Sequence, residues 1–103
     1  MLTLHITNEV TDYDAWKTAF DKYDRVRRDN GVLAYRISRA NANGNQVHVD
    51  LDFGTRYQAE AFAEVLQGIW RTPQSTAVLV DHQAQIRDLV EQQTLAPTPV
   101  RDD

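Results

Sequence analysis

Gln46-Val47-His48-Val49-Asp50-Leu51-Asp52-Phe53 alternates without a lapse. Val47, Val49, Leu51 and Phe53 fall on one parity, and His48, Asp50 and Asp52 on the other. Successive strand side chains point to opposite faces, so this pattern predicts a half-buried β-strand over residues 46–53. Downstream, Gly54-Thr55 opens a helix, because Thr55 and Gln58 have the spacing of a capping box. Ala59, Phe62, Val65 or Leu66, and Ile69 form its apolar stripe, with Trp70 at its end. Thr72-Pro73-Gln74-Ser75 restarts a short helix ending near Leu79, since proline in a first turn has no donor to lose. A last strand is expected from Gln83 to about Glu91, with Ile86 set against Gln85 and Arg87. From Gln92 onward, Thr94-Leu95-Ala96-Pro97-Thr98-Pro99 reads as a frayed tail (92–103) outside a single domain of residues 1–91.

Upstream, Ala40-Asn41-Ala42-Asn43-Gly44-Asn45 is rich in residues that accept positive φ and predicts a hairpin connection. Val32 to Arg39 reads as the strand before it. Asn30-Gly31 is a left-handed helix stop. The helix it closes is capped by Thr11 or Asp12 and carries Trp16, Phe20, Tyr23 and Val26 or Arg27 at spacings of three and four. The first strand, Leu2 to Val10, sets Leu2, Leu4, Ile6 and Val10 against Thr3, His5, Thr7 and Glu9; Asn8 interrupts the apolar parity near its end. The order is β-α-β-β-α-β, two β-α-β units. Right-handed crossovers place both helices on one face of a four-stranded antiparallel sheet, the ferredoxin-like α+β arrangement.

Composition narrows the function classes. At 103 residues, 42% of them hydrophobic, the chain supports one domain with one core. Eleven basic against fifteen acidic residues leave a net charge of −4, which argues against a nucleic-acid partner. The absence of cysteine excludes disulfides, thiolate nucleophiles and Cys-held metal centres. No apolar run approaches the roughly 20 residues of a membrane span, and Met1-Leu2-Thr3-Leu4-His5 is unlike a signal peptide. No membrane partner and a cytoplasmic location are therefore expected. The four glycines are scattered, so no phosphate loop exists, and no Ser sits in a nucleophile elbow.

The polar parities decide what the other sheet face carries. With the first and third strands as antiparallel neighbours, His5, Thr7 and Glu9 lie beside His48, Asp50 and Asp52. The second strand adds Arg36 and Ser38, and the fourth adds Arg87. This face is either wet, with cross-strand charge pairs worth a few tenths of a kcal/mol each, or covered by a second copy of the chain that encloses a polar pocket.

Ile6 to Val10 followed by Thr11-Asp12-Tyr13-Asp14-Ala15-Trp16-Lys17-Thr18-Ala19-Phe20-Asp21, then Arg27-Arg28-Asp29-Asn30-Gly31-Val32 and Val47 to Phe53, resembles the dimeric α+β barrel superfamily of the antibiotic-biosynthesis monooxygenases. Short bacterial members with this opening are often labelled cyclases. The likeness spans Leu2 to Val90, and its motifs mostly specify a capped helix on a sheet. The resemblance implies a homodimer with a cavity in each subunit, between sheet and helices or under the loops. It implies cofactor-free oxidation of polycyclic phenols or cyclisation of aromatic polyketides. A haem-degrading branch is similar in the order of Asn8, Trp70 and His82. The twelve residues from Trp70 to His82 exceed that branch's spacing, so no haem is expected.

The candidate site follows from the shared sheet face. His5 with Asp50 forms a base and its orienter, since a neutral imidazole with a carboxylate on its other nitrogen is a serviceable general base. His48 is a second acid/base group. Arg36 and Arg87 would hold a developing enolate or phenolate. Thr7 and Trp70 complete the substrate contacts, with core packing as the competing role of Trp70. Interface salt bridges are the competing role of the charged cluster. Three ligands from His5, His48 and Asp50 or Asp52 would make a zinc pattern, but no contiguous motif supports it and no metal is expected. His82 caps the short helix or lines a pocket mouth. Trp16, Phe20, Tyr23 and Phe62 read as core, and Asp24-Arg25-Val26-Arg27-Arg28-Asp29 reads as solvated charge complementing the helix dipole. The leading expectation is a small cofactor-independent enzyme acting on an aromatic or polyketide-like molecule. The alternative is a non-catalytic ligand-binding or structural homodimer.

Overall fold

The computed structural model describes residues 1–40 and 44–96. Asn41, Ala42 and Asn43 of the expected hairpin connection, and residues 97–103 of the expected tail, lie outside them. The elements are β1 (Leu2–Val10), α1 (Tyr13–Lys22), α2 (Asp24–Asp29), β2 (Ala34–Arg39), β3 (Gln46–Phe53), α3 (Arg56–Trp70), α4 (Pro73–Val78) and β4 (Leu79–Asp88). The sheet is antiparallel in the order β2-β3-β1-β4. The ferredoxin-like α+β architecture is thus the one expected.

Alternation becomes sidedness in the two central strands. Leu2, Leu4, Ile6 and Val10 of β1 and Val47, Val49, Leu51 and Phe53 of β3 are all buried beneath the helices. They form one core with Trp16, Ala59, Phe62, Leu66 and Trp70. The last four recur on α3 at spacings of three and four, so one stripe of the helix meets the sheet. Asp12 caps α1 by accepting from the Ala15 amide at 2.8 Å, and Thr55 caps α3 by accepting from the Gln58 amide at 3.2 Å. Thr72 does the same for α4, which begins at Pro73. Gly31 takes φ 86°, and a Cβ there would stand 2.7 Å from Gln58 Nε2. Only glycine meets both demands without strain.

Two boundaries differ from expectation. The first helix is divided at Tyr23 (φ −98°, ψ 15°), yet the stripe of Trp16, Phe20 and Tyr23 continues to Arg27. Arg27, not its apolar neighbour Val26, becomes the buried residue of α2. The fourth strand begins at Leu79 rather than Gln83 and ends at Asp88 rather than near Glu91. Its extent is set by backbone pairing with β1, from Leu2↔Asp88 to Val10↔Leu79, because its own alternation is weak. Residues 92–96 are exposed and form neither helix nor strand. Among the described residues no helix is long and apolar enough to cross a membrane.

Candidate functional site

Register fixes the open sheet face. His5 pairs with Asp50 on one side and Gln85 on the other; Thr7 pairs with His48 and Gln83; Thr3 pairs with Asp52 and Arg87. Arg36 and Ser38 of β2 stand opposite Asp50 and His48. His5, His48, Asp50, Arg36, Arg87 and Thr7 therefore share one face, as their parities predict. Trp70 does not join them. It lies at the end of α3 on the opposite side of the sheet, 6% exposed.

On the open face, His5 Nδ1 lies 2.6 Å from Asp50 Oδ1. At that distance the imidazole donates through Nδ1, which leaves Nε2 with its lone pair when the ring is neutral. Thr7 Oγ1 stands 3.5 Å from His5 Nε2 and 3.4 Å from His48 Nδ1, at the long limit of hydrogen bonding. The two imidazoles stack with centroids 5.6 Å apart. The result is a row Asp50–His5–Thr7–His48 through which a proton could be relayed. Beside it runs a polar groove of about 440 Å³ lined by His5, Thr7, Gln83, Gln85 and Arg87. Arg87 Nε donates to Gln85 Oε1 at 3.2 Å. Arg36 is already engaged, donating from both terminal nitrogens to Asp52 at 2.9 and 3.0 Å. His5, His48 and the carboxylates are spread along the strands, and no three His, Asp or Glu side chains among the described residues converge on a metal position.

The Arg36 guanidinium holds the Asp52 carboxyl below its ordinary range, and a bond from Thr3 Oγ1 at 3.0 Å adds to this against the opposing effect of burial. A carboxyl that titrates lower folded than unfolded adds stability above its unfolded value near about pH 4, lost as pH falls through the folded value. Asp52→Asn is therefore expected to cost about 1 kcal/mol or less near neutral pH, as partly exposed pairs do. The cost should shrink in strong acid. Urea melts of both proteins at the two pH values check this; an equal loss at both would sink it.

Across the sheet lies a different site. A cavity of about 70 Å³, partly open to solvent, sits between the sheet and the helices. Trp16 and Phe20 of α1, Tyr23 after it, and Phe62 and Trp70 of α3 form its aromatic wall, with Asn8, Ser75 and Arg27 as polar members. The Asn8 amide is satisfied when its oxygen accepts from Trp16 Nε1 at 3.1 Å and its nitrogen donates to the Thr7 carbonyl at 3.2 Å. Ser75 Oγ accepts from Thr72 Oγ1 at 3.0 Å. His82 lies in β4 and caps no helix; it stacks on Trp70 at 4.1 Å between centroids.

Sequence reasoning missed three of these roles. Trp16, Phe20 and Phe62 are core-facing as expected, whereas Tyr23, also expected in the core, is half-buried outside it; all four line the cavity. Asn8 continues the buried parity of β1 at 5% exposure rather than lapsing from it; a polar residue on an apolar parity was the available signal. Arg27 is not solvated but buried, at 5% exposure. Its place on the aromatic stripe of the first helix was the signal there.

No protein-family model matches the chain, and no curated protein matches it. Solved structures do. A dimeric ferredoxin-like protein from an uncultured marine organism matches with TM-score 0.61 at 14% identity, covering 89% of this chain and 97% of that one. A proposed antibiotic biosynthesis monooxygenase from Nitrosomonas europaea matches with TM-score 0.61 at 15% identity, covering 88% and 100%. Another, from Deinococcus radiodurans, matches with TM-score 0.59 at 13% identity, covering 93% and 99%. The chain thus has the ferredoxin-like fold that dimeric and antibiotic biosynthesis monooxygenase-like proteins share. At these identities the likeness speaks for fold, since one fold hosts many functions.

Proposed function

We propose that the chain is a small cofactor-independent enzyme of cyclase or monooxygenase type, cytoplasmic and homodimeric through the open sheet face. Its substrate is a compact aromatic or polyketide-like molecule held in the cavity between sheet and helices. The carrying observation is the cavity wall, in which five aromatic side chains meet a few polar groups, the ordinary composition of a small-molecule site. Its size argues for compact substrates. A dry cavity that admits benzene measures about 150 Å³, so about 70 Å³ holds less than one ring and leaves the rest in the open mouth. Cyclisation and oxygenation of such compounds both begin with loss of a proton from an activated C–H or O–H; with no carboxylate or imidazole in the described wall, that proton passes to water in the open mouth. An aromatic-walled pocket favours both by fixing the ring. The homodimer is supported by a sheet face on which His5, Thr7, His48, Asp50 and Asp52 are half-buried although no helix covers them, and by dimeric proteins of the same fold.

The open face supports a second reading. The 2.6 Å contact of His5 with Asp50, beside a groove that Arg87 also lines, has the makings of an acid/base site with an anion holder. There His5, Asp50 and His48 would move protons, and Arg36, once released from Asp52, would join Arg87 in binding the anion, with Thr7 between the imidazoles. The sheet separates this site from Trp70, so the two readings assign the chemistry to opposite faces.

The test is an aerobic assay of the full chain against activated phenols and linear poly-β-carbonyl compounds, following oxygen uptake and product absorbance. Ala19→Phe, which projects into the cavity, is expected to abolish turnover, while His5→Ala retains it. The reverse pattern would move the chemistry to the open face. Tight binding without turnover would establish the non-catalytic ligand-binding dimer instead.

A further inference from the structure

Among the described residues, Arg27 is the one charged side chain in the cavity wall. Its guanidinium carbon lies 3.7 Å from the ring centre of Phe20 and 5.3 Å from that of Tyr35. Burial pushes its pKa down, but a guanidinium keeps its charge in a protein. The contact with Phe20 is made over the ring by the guanidinium carbon, whereas the N–H donors lie around it in the guanidinium plane. Among the described residues, Nε and Nη2 are both buried without a hydrogen-bond partner. Asp24 does not supply one: its Oδ1 stands 3.9 Å from Nη2, beyond hydrogen-bond reach, and its Oδ2 accepts from Arg28 Nε at 2.7 Å. The two orphaned nitrogens share one edge of the fork. The Nε–H and an Nη2–H leave that edge side by side, at the spacing of two carboxylate oxygens.

A buried charge with its donating edge empty is costly. Asn8 and Ser75, also in the wall, have partners within the protein. We propose that the cavity's ligand is a carboxylic acid: its flat apolar body lies against the aromatic wall, and its carboxylate accepts from Nε and Nη2 of Arg27. The inference rests on the cavity reading above and narrows its substrate to acids. The size of the cavity limits the body to about one ring, part of which stays in the open mouth.

The test compares phenylacetate with phenylacetamide, two ligands of the same shape that differ in charge. Binding to the full chain is followed by calorimetry and by the fluorescence of Trp16 and Trp70, both in the wall. Wild type is expected to bind the acid at least about tenfold more tightly than the amide. Arg27→Met keeps the length and loses the charge, so it should lose the preference and keep its affinity for the amide. It should also melt no lower than wild type, because it removes a desolvated charge. Arg27→Lys keeps the charge without the fork and should retain only part of the preference, giving a second variant if the first does not fold. Equal affinity of wild type for acid and amide would overturn the anion site while leaving the cavity reading intact, and so would a preference that survives Arg27→Met. Binding of neither compound would overturn both.

Discussion

Truncating Phe53 to alanine is expected to destabilise the fold by about 3–5 kcal/mol, the range for a fully buried aromatic residue. Phe53 closes the alternating stretch that defines β3, is 0% exposed, and meets Phe62 of α3 with ring centroids 5.7 Å apart. It therefore joins sheet to helix where neither backbone can collapse to fill the space. Domains of this kind have about 5–15 kcal/mol in total, so the loss removes a large share of the margin and lowers the melting temperature on the order of 20 °C. Phe53→Leu, which leaves most of the volume, should lose less than half as much. Urea denaturation of the three proteins measures it. A loss under about 1 kcal/mol for the alanine variant would mean that the sheet–helix contact relaxes freely, against the packing described.

Reversing one charge at the centre of the open sheet face should convert the proposed dimer to monomers. Asp50 accepts from His5 at 2.6 Å and stands opposite Arg36 in register. Asp50→Lys places a cation among His5, Arg36 and their counterparts on the facing sheet, and like charges forced together across an interface cost several kcal/mol. Native mass spectrometry should give twice 11.8 kDa for wild type and 11.8 kDa for the variant. A monomeric wild type would show that this face is simply wet, with its ion pairs as surface pairs. A variant that stays dimeric would place the interface elsewhere. Any mass retained above the dimer would bear on the cavity, since the substitution lies on the other side of the sheet.

How much of the candidate site could be read in advance depends on how each residue's position is determined. His5, Thr7, His48 and Asp50 could be placed together because strand parity fixes the face and the topology fixes the neighbours. Trp70 could not be assigned to that group or excluded from it, because a residue at a helix end has no parity relative to the sheet. Arg36 shows a finer limit. Parity put it on the right face, but its bidentate partner is the diagonal Asp52 rather than the opposite Asp50. That choice belongs to rotamers and reach, which spacing does not encode. The division of the first helix at Tyr23 was equally invisible, as no proline or glycine marks it.

The sequence by itself determined the strands β1 and β3, the cap Thr55, a first cap at Thr11 or Asp12, the stop at Gly31, and hence the ferredoxin-like order of elements. Each of these depends on spacings of a few residues, where period two, period 3.6 and the conformational preferences of glycine act directly. Only the tertiary structure decided that Arg27, in a run of charges fit for solvent, is buried against Phe20 and Tyr35 beside an aromatic cavity. Whether a charged side chain meets water or a ring depends on where α2 comes to rest over β2. That is settled by long-range packing, which local pattern does not carry.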